Sequence, residues 1–183
     1  MEVMEAILER RSVRKLKATP VSDDVLTTIL EAGRWAPSWA NTQCSRFVVV
    51  RDPTIKAQIA EAKAHGNNPA SETIRNAPVL IVICGELQKS GYYKGQQTTD
   101  KGDWYMFDTA LAAQNMMLAA HSLGLGAVPI GLFDAAKVNQ ILDIPSGANV
   151  VALIPMGYPD EEPKAPRRKE LSELVSYEKY QQK

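Results

Sequence analysis

The apolar run at residues 79–84, Val-Leu-Ile-Val-Ile-Cys, constrains the fold of this chain more than any other feature. A short, continuous apolar run that is rich in β-branched residues is typical of a buried strand. Three further apolar runs predict strands at 47–50, 127–133 and 150–156. We therefore expect one central sheet packed against helices.

Helical patterns separate these predicted strands. A short first helix carries three apolar residues on one face: Val3, Ile7 and Leu8. Three later helices follow residues that favour a helix N-terminus: Ser22, Asp52 and Asp134. The longest predicted helix, 104–123, is apolar nearly all round, so we expect it to be buried. This order of elements predicts an α+β or α/β sandwich around one central sheet, in a single domain of residues 1–183.

Three segments show no regular period. Residues 65–76 are polar and mixed, and residues 88–102 combine Gly, Tyr, Thr and Lys in a way that predicts a mobile loop or lid. The tail at 158–183 contains three prolines, a basic run, and then apolar and aromatic residues. Such a tail cannot easily bury itself, which favours packing against a partner subunit.

Charge and cysteine content exclude several classes of function. The 21 basic and 21 acidic side chains cancel, so no overall field attracts nucleic acid or an anionic membrane. No apolar run approaches the roughly 20 residues of a membrane-spanning helix, and two histidines are too few for a histidine-rich metal site. Cys44 and Cys84 lack a metal-ligand spacing, and the N-terminus does not resemble a signal peptide, so we expect free thiols, no metal and a cytoplasmic protein.

Two basic clusters lie near opposite ends of the chain. Arg10-Arg11-Ser12-Val13-Arg14 follows the first helix, whose C-terminal dipole repels anions, so a phosphate there would need guanidinium groups and the Ser12 hydroxyl. Cations at a helix C-terminus are also favourable without a ligand, and the second cluster, Arg167-Arg168-Lys169, is typical of a solvated tail when taken alone. The occurrence of both clusters in one chain suits a single phosphate.

Two central segments suit a planar ring. The loop Pro37-Ser38-Trp39-Ala40-Asn41-Thr42-Gln43 offers an aromatic plane, a hydroxyl, and amides that both donate and accept. Residues 128–133 form the end of a predicted strand, where open sheets place ligands, and Gly131 lets a ring approach the backbone. Each segment alone is as typical of a surface turn or a strand exit. The chain has neither a Gly-x-Gly-x-x-Gly motif after its first strand nor a phosphate-binding P-loop, so any nucleotide must be held in another way.

The ordered motifs resemble the FMN-dependent nitroreductase family. The N-terminal half carries Arg10-Arg11-Ser12-Val13-Arg14, Glu31-Ala32-Gly33-Arg34-Trp35-Ala36-Pro37-Ser38 and Asn41-Thr42-Gln43. The C-terminal half carries Ala112-Ala113-Gln114-Asn115-Met116, Leu123-Gly124-Leu125-Gly126, Pro129-Ile130-Gly131 and Pro166-Arg167-Arg168-Lys169. The resemblance covers nearly the whole chain, in matching order and spacing.

The resemblance implies a nitroreductase-like α+β fold, an α/β/α sandwich around a mixed sheet, and a homodimer in which the C-terminal tail at 158–183 wraps over the partner. It implies two flavin mononucleotide (FMN) sites at the dimer interface. The positions that match phosphate and ribityl contacts are Arg10, Arg11, Ser12, Arg167 and Arg168. Arg14 matches a basic position near the ribityl or pyrimidine end. The positions that match the loop reaching the flavin from the partner subunit, with Gln43 beside it, are Pro37, Ser38, Trp39, Asn41 and Gln43. The positions that match the strand end against the ring are Pro129, Ile130 and Gly131.

The resemblance also implies chemistry. FMN would take hydride from NAD(P)H and pass electrons to nitroaromatics, quinones or similar small oxidants in a ping-pong sequence, with Trp104 and Tyr105 bordering the substrate. Cys44-Ser45 and Trp39 depart from residues common in the family, and residues 67–75 do not show the Asn and Lys that some members place on the pyrimidine. The alternatives left open are reductive dehalogenation, oxidative use of the flavin on a specific metabolite, and flavin binding without catalysis.

Overall fold

A four-stranded sheet forms the centre of the protein, for which a computed structural model describes residues 1–63 and 70–181. Its strand order is β1-β2-β6-β5, and every neighbouring pair is antiparallel. The strands, together with the short hairpin β3–β4, are β1 Ser45–Val50, β2 Val79–Glu86, β3 Tyr92–Tyr93, β4 Gln96–Gln97, β5 Gly126–Ala127 and β6 Ala148–Gly157. One parallel bridge, between Ser12 and Ala127, gives the sheet its mixed character.

Seven helices surround this sheet in the described part of the chain. They are α1 Val3–Glu9, α2 Asp23–Arg34, α3 Pro53–Glu61, α4 Ala70–Asn76, α5 Tyr105–Ser122, α6 Ala135–Ile141 and α7 Leu171–Leu174. The predicted N-terminal residues are confirmed: the side chains of Ser22, Asp52 and Asp134 accept backbone N–H groups in the first turns of α2, α3 and α6.

Strand β2 is the centre of the core, as the apolar run predicts. Its side chains alternate between the two faces of the sheet, since successive residues of a strand point in opposite directions. Ile81 and Ile83 pack in one cluster with residues of α2 and α5, whereas Leu80 and Val82 pack in a second cluster with residues of α3, α4 and α6. Helices on both faces of one sheet give three layers and confirm the α+β sandwich.

Three predictions of local structure differ from the observed fold. The strand predicted at 127–133 is wrong, because β5 ends at Ala127, Pro129 has no N–H to give a ladder, and Ile130 forms an isolated bridge with Leu153. The segment 65–76 contains helix α4, while its first five residues lie outside the described chain. The segment 88–102 turns back on itself as the β3–β4 hairpin.

Both ends of the chain expose apolar side chains on this protomer. In α1 only Ala6 is buried, while Val3 and Leu8 are 69% and 66% exposed. In the tail, Leu171 and Tyr180 are 73% and 92% exposed. The apolar face of α1 therefore does not join the core of its own chain. No helix among the described residues has the length and apolarity needed to cross a membrane.

Candidate functional site: an arginine cavity and a pinned loop

The two ends of the chain meet at a cavity of about 270 Å³. Its lining combines the predicted N-terminal cluster with the tail: Arg10, Arg11, Ser12, Arg14, Pro163, Lys164, Pro166 and Arg168. Arg167, which the resemblance places beside this group, is not among the residues that line the cavity. The structure therefore brings together four of the five residues predicted at the phosphate and ribityl chain, along with Arg14.

Backbone pairing explains how residues so distant in sequence come together. Ser12 forms the parallel bridge to Ala127 at the end of β5, and the N–H of Val13 donates to the carbonyl of Ala127 at 3.1 Å. Just beyond β6, the Glu161 carboxylate accepts the N–H groups of Arg14 at 2.6 Å and Lys15 at 3.0 Å. These N–H donors, that of Arg14 first, hold the pKa of Glu161 below its ordinary value. These two hydrogen bonds hold the start of the C-terminal tail next to the N-terminal arginine cluster.

The arginines of this cavity repel one another. Partial burial, then the positive charges of Arg11 and Arg168, lower the pKa of Arg10. Within residues 1–63 and 70–181, no salt bridge involves Arg10, Arg11, Arg14 or Arg168. Arg11 also donates to the carbonyls of Leu8 at 2.6 Å and Arg10 at 3.0 Å, where it caps the C-terminal end of α1. Several cations that form no salt bridge within the described residues surround this space, which makes it a candidate site for an anion.

The loop at 37–43 lies elsewhere on the protomer. Its central residues form a 3-10 turn, Trp39–Asn41, and Ala40, Asn41 and Gln43 have φ values of 45°, 57° and 50°. The Ser38 hydroxyl accepts the N–H of Gln43 at 2.9 Å and closes the loop. Three residues other than glycine in left-handed conformations within four positions indicate a backbone held by its surroundings.

A buried carboxylate on helix α5 holds this loop through hydrogen bonds. Asp108, in the first turn of α5, accepts the N–H of Trp39 at 3.1 Å, the hydroxyl of Ser90 at 2.7 Å and the thiol of Cys44 at 3.4 Å. Burial, and after it the charge of Asp108, raise the pKa of Cys44 to about 12. Asp108 was not among the predicted site residues; its signal in the sequence is that it is the single carboxylate of the long helix.

An aromatic cavity of about 380 Å³ opens beside the same loop. It is lined by Pro37, Ser38, Trp39, Trp104, Phe107, Asp108 and Leu111. The rings of Trp104 and Phe107 meet edge to face with centroids 5.3 Å apart, and the indole N–H of Trp104 donates to the Thr99 hydroxyl at 2.8 Å. Tyr105, predicted to border the same space, instead packs its ring on Gly85.

The predicted strand end at Pro129-Ile130-Gly131 begins two residues after Ala127, the partner of Ser12. Pro129 and Gly131 are exposed, while Ile130 is buried against β6. Within one protomer, the 37–43 loop and the arginine cavity line separate spaces. The structure therefore presents the predicted site as two parts.

The fold and its basic cavity place the chain in a known class: it belongs to the nitroreductase family, whose model matches residues 7–158. A nitroreductase family protein from Clostridium novyi NT has a TM-score of 0.78 and 34% sequence identity, over 91% of this chain and 89% of that one. The NADH dehydrogenase of Thermus thermophilus is 32% identical over an alignment that covers 96% of this chain and 95% of its own. The NADPH:FMN oxidoreductase of Vibrio harveyi, solved in complex with NAD+, has a TM-score of 0.79 at 29% identity, over 98% and 78% of the two chains.

Proposed function

We propose that this protein binds FMN and transfers electrons from NAD(P)H to small oxidised molecules such as nitroaromatics and quinones. The observation that carries the proposal is the cavity that Arg10 and Arg168, from opposite ends of the chain, line together, neither of them in a salt bridge with any residue that the structure describes. The relatives named NADH dehydrogenase and NADPH:FMN oxidoreductase support a flavin enzyme that uses a nicotinamide.

The donor set of the cavity fits a phosphate monoester. Guanidinium groups bind phosphate oxygens through paired N–H donors, and a serine hydroxyl adds a further donor. Arg10, Arg168 and Ser12 supply these groups here. Arg11 adds charge, and its Nη1 is engaged on the carbonyls of Leu8 and Arg10 at the end of α1. These residues would hold the FMN phosphate, and Arg14 would supply positive charge toward the pyrimidine side of the ring.

The other part of the site requires a second protomer. Asn41 and Gln43 carry amides that suit the donors and acceptors along a flavin edge, yet their loop lies apart from the arginine cavity in one chain. We therefore assign this loop to the flavin of the partner subunit in a homodimer. The exposed apolar faces of α1 and the tail support such an interface, because large exposed apolar patches mark contacts between proteins. Wrapping of residues 158–183 over the partner would cover the tail.

The flavin, when bound, supplies hydride acceptance and electron donation, and the chain supplies position and charge. Pro129 and Gly131 are exposed, and we assign them to the ring. Arg14 would favour the negative charge of a reduced ring through electrostatic stabilisation. Donor and oxidant would use the same open ring face in turn, which gives ping-pong kinetics. Two unpaired buried thiols suit the reducing cytoplasm to which we assign the protein.

The test begins with the visible spectrum and the mass of the purified protein in solution. We expect a yellow dimer with one FMN per chain, and parallel lines in double-reciprocal plots when NADH or NADPH is varied against a nitroaromatic or a quinone. A monomeric protein that neither carries nor takes up FMN would contradict the proposal. A yellow dimer that is unreactive with both nicotinamides would contradict its enzymatic part.

A further inference from the structure

We propose that Asp108 is a positioning residue of the flavin site, which holds the 37–43 loop in its strained conformation and ties that loop to the β3–β4 hairpin. The inference rests on the proposed function, because that function assigns the loop to the flavin edge. In this proposal Asp108 acts through the loop that it holds and not by a contact of its own with the flavin.

Three donors from separate parts of the chain converge on this carboxylate. The Trp39 N–H lies 3.1 Å from Oδ1 and 3.2 Å from Oδ2, and Oδ2 also accepts the Ser90 hydroxyl at 2.7 Å and the Cys44 thiol at 3.4 Å. Asp108 is 2% exposed, and Ser90 and Cys44 are fully buried. A buried carboxylate persists when hydrogen bonds replace its lost hydration, so these donors make the group a fixed point of the structure.

The anchored positions bracket the residues assigned to the flavin. Trp39 precedes Asn41 and Cys44 follows Gln43, so the carboxylate holds the chain on both sides of these two amides. Asn41 and Gln43 have φ values of 57° and 50°, and such conformations survive where the surroundings over-determine them. Release of the anchors would let the backbone relax and would redirect both amides.

The contact with Ser90 extends this control to a second element. Ser90 lies just before β3, and the carbonyl of Ser90 accepts the N–H of Trp104, whose ring lines the aromatic cavity. The hairpin, the aromatic cavity and the flavin loop therefore meet at one carboxylate. We infer that Asp108 sets the distance between the flavin edge and the aromatic cavity, which we assign to the oxidant.

Asp108→Asn tests this inference while keeping the shape of the side chain. The amide nitrogen that replaces one oxygen cannot accept the Trp39 N–H or the Cys44 thiol, and the loss of the negative charge weakens the hydrogen bonds to the oxygen that remains, so the loop is held less firmly. In FMN-saturated, folded protein we expect a changed visible circular dichroism of the bound flavin. We also expect a loss in kcat of about 10- to 100-fold, the range that a misplacement on the ångström scale produces.

Asp100→Asn is the matched control, since Asp100 lies on the same hairpin segment, is exposed, and pairs with Lys101 at 2.8 Å. We expect its flavin spectrum, kcat and KM to equal those of the native protein. If Asp108→Asn does not fold, Ser90→Ala carries the test, because it removes one donor and leaves the carboxylate in place. We expect Ser90→Ala to shift the flavin spectrum and to raise the KM for the oxidant.

Folded, FMN-loaded Asp108→Asn with native flavin dichroism, kcat and KM would overturn the inference, and so would native values in Ser90→Ala where that variant carries the test. The proposed function would survive this result, because the native protein would still bind FMN and oxidise NAD(P)H. A native protein without flavin or nicotinamide turnover would instead overturn the proposed function and this inference with it.

Discussion

Replacing Arg168 by alanine separates the two roles that the structure gives to the cationic cavity. In the protein without flavin, Arg168 repels Arg10 and lowers its pKa, so its removal relieves unfavourable charge. In the FMN complex, the same side chain would donate to a phosphate oxygen. The two consequences have opposite signs: the flavin-free protein keeps or gains stability, while the FMN complex weakens.

The magnitude follows from the exposure of the group. A hydrogen bond to a charged group contributes about 1.5–3 kcal/mol, and Arg168 is exposed at the cavity rim, which favours the lower value. About 1.5 kcal/mol corresponds to a roughly ten-fold rise in the Kd for FMN. Added salt should reduce the difference in Kd for FMN between Arg168→Ala and the native protein, because the Debye length falls from about 10 Å at 0.1 M to about 3 Å at 1 M ionic strength.

Titrations with FMN and with riboflavin, which has no phosphate, provide the assay. Arg168→Ala should raise the Kd for FMN and leave that for riboflavin unchanged. Arg167→Ala is the matched control, because Arg167 is the neighbouring cation but does not line the cavity. We expect Arg167→Ala to change the Kd for FMN less than Arg168→Ala does. An equal loss for both ligands, or no loss for FMN, would refute the assignment of this cavity to the phosphate.

Two further predictions concern the surroundings of the site. Gly126→Ala places a Cβ 2.7 Å from the Cβ of Val13, which is buried and has a stiff β-branched side chain. Urea denaturation should therefore show a free energy of unfolding lower by about 1–3 kcal/mol, and FMN should bind more weakly. Gly147→Ala is the control, because its new Cβ meets nothing within 4 Å, and equal stabilities of the two variants would contradict this prediction. Burial raises the pKa values of Cys44 and Cys84 from an ordinary 9.0 to about 12 and about 11. The thiols of the folded protein should therefore resist alkylation at neutral pH. The contribution of the protonated thiols to the free energy of unfolding should be complete below pH 9 and should be lost as the pH rises through the pKa values of the folded protein. Rapid labelling of folded protein by iodoacetamide would show this account of the cysteines to be wrong.

Local signals predicted the parts of the fold that depend on neighbouring residues. The caps at Ser22, Asp52 and Asp134 fall where expected, because each side chain bonds to an N–H two or three residues away. Helix α4 escaped prediction because distant contacts stabilise it: the Ser71 hydroxyl donates to the carbonyl of Ala60 at 2.8 Å, and Ile74 is buried in the core.

The arginine clusters and the central loop carried the resemblance to the nitroreductase family, which placed Arg10 and Arg168 at one phosphate before the structure showed them around one cavity. The same resemblance included Arg167, which the structure leaves outside that cavity. Sequence spacing cannot decide which of two adjacent arginines faces inward, since that depends on how the tail lies against residues 14–17.

By itself, the sequence determined the buried central strand, the helix starts and the residue types available for an anion and a planar ring. Those features depend on side-chain polarity and on hydrogen bonds within a few residues. The tertiary structure alone decided that β5 stops at Ala127 and that the carboxylate of Asp108 collects donors from positions 39, 44 and 90. Such contacts form only when the sheet and helices pack, because each joins groups that are distant along the chain.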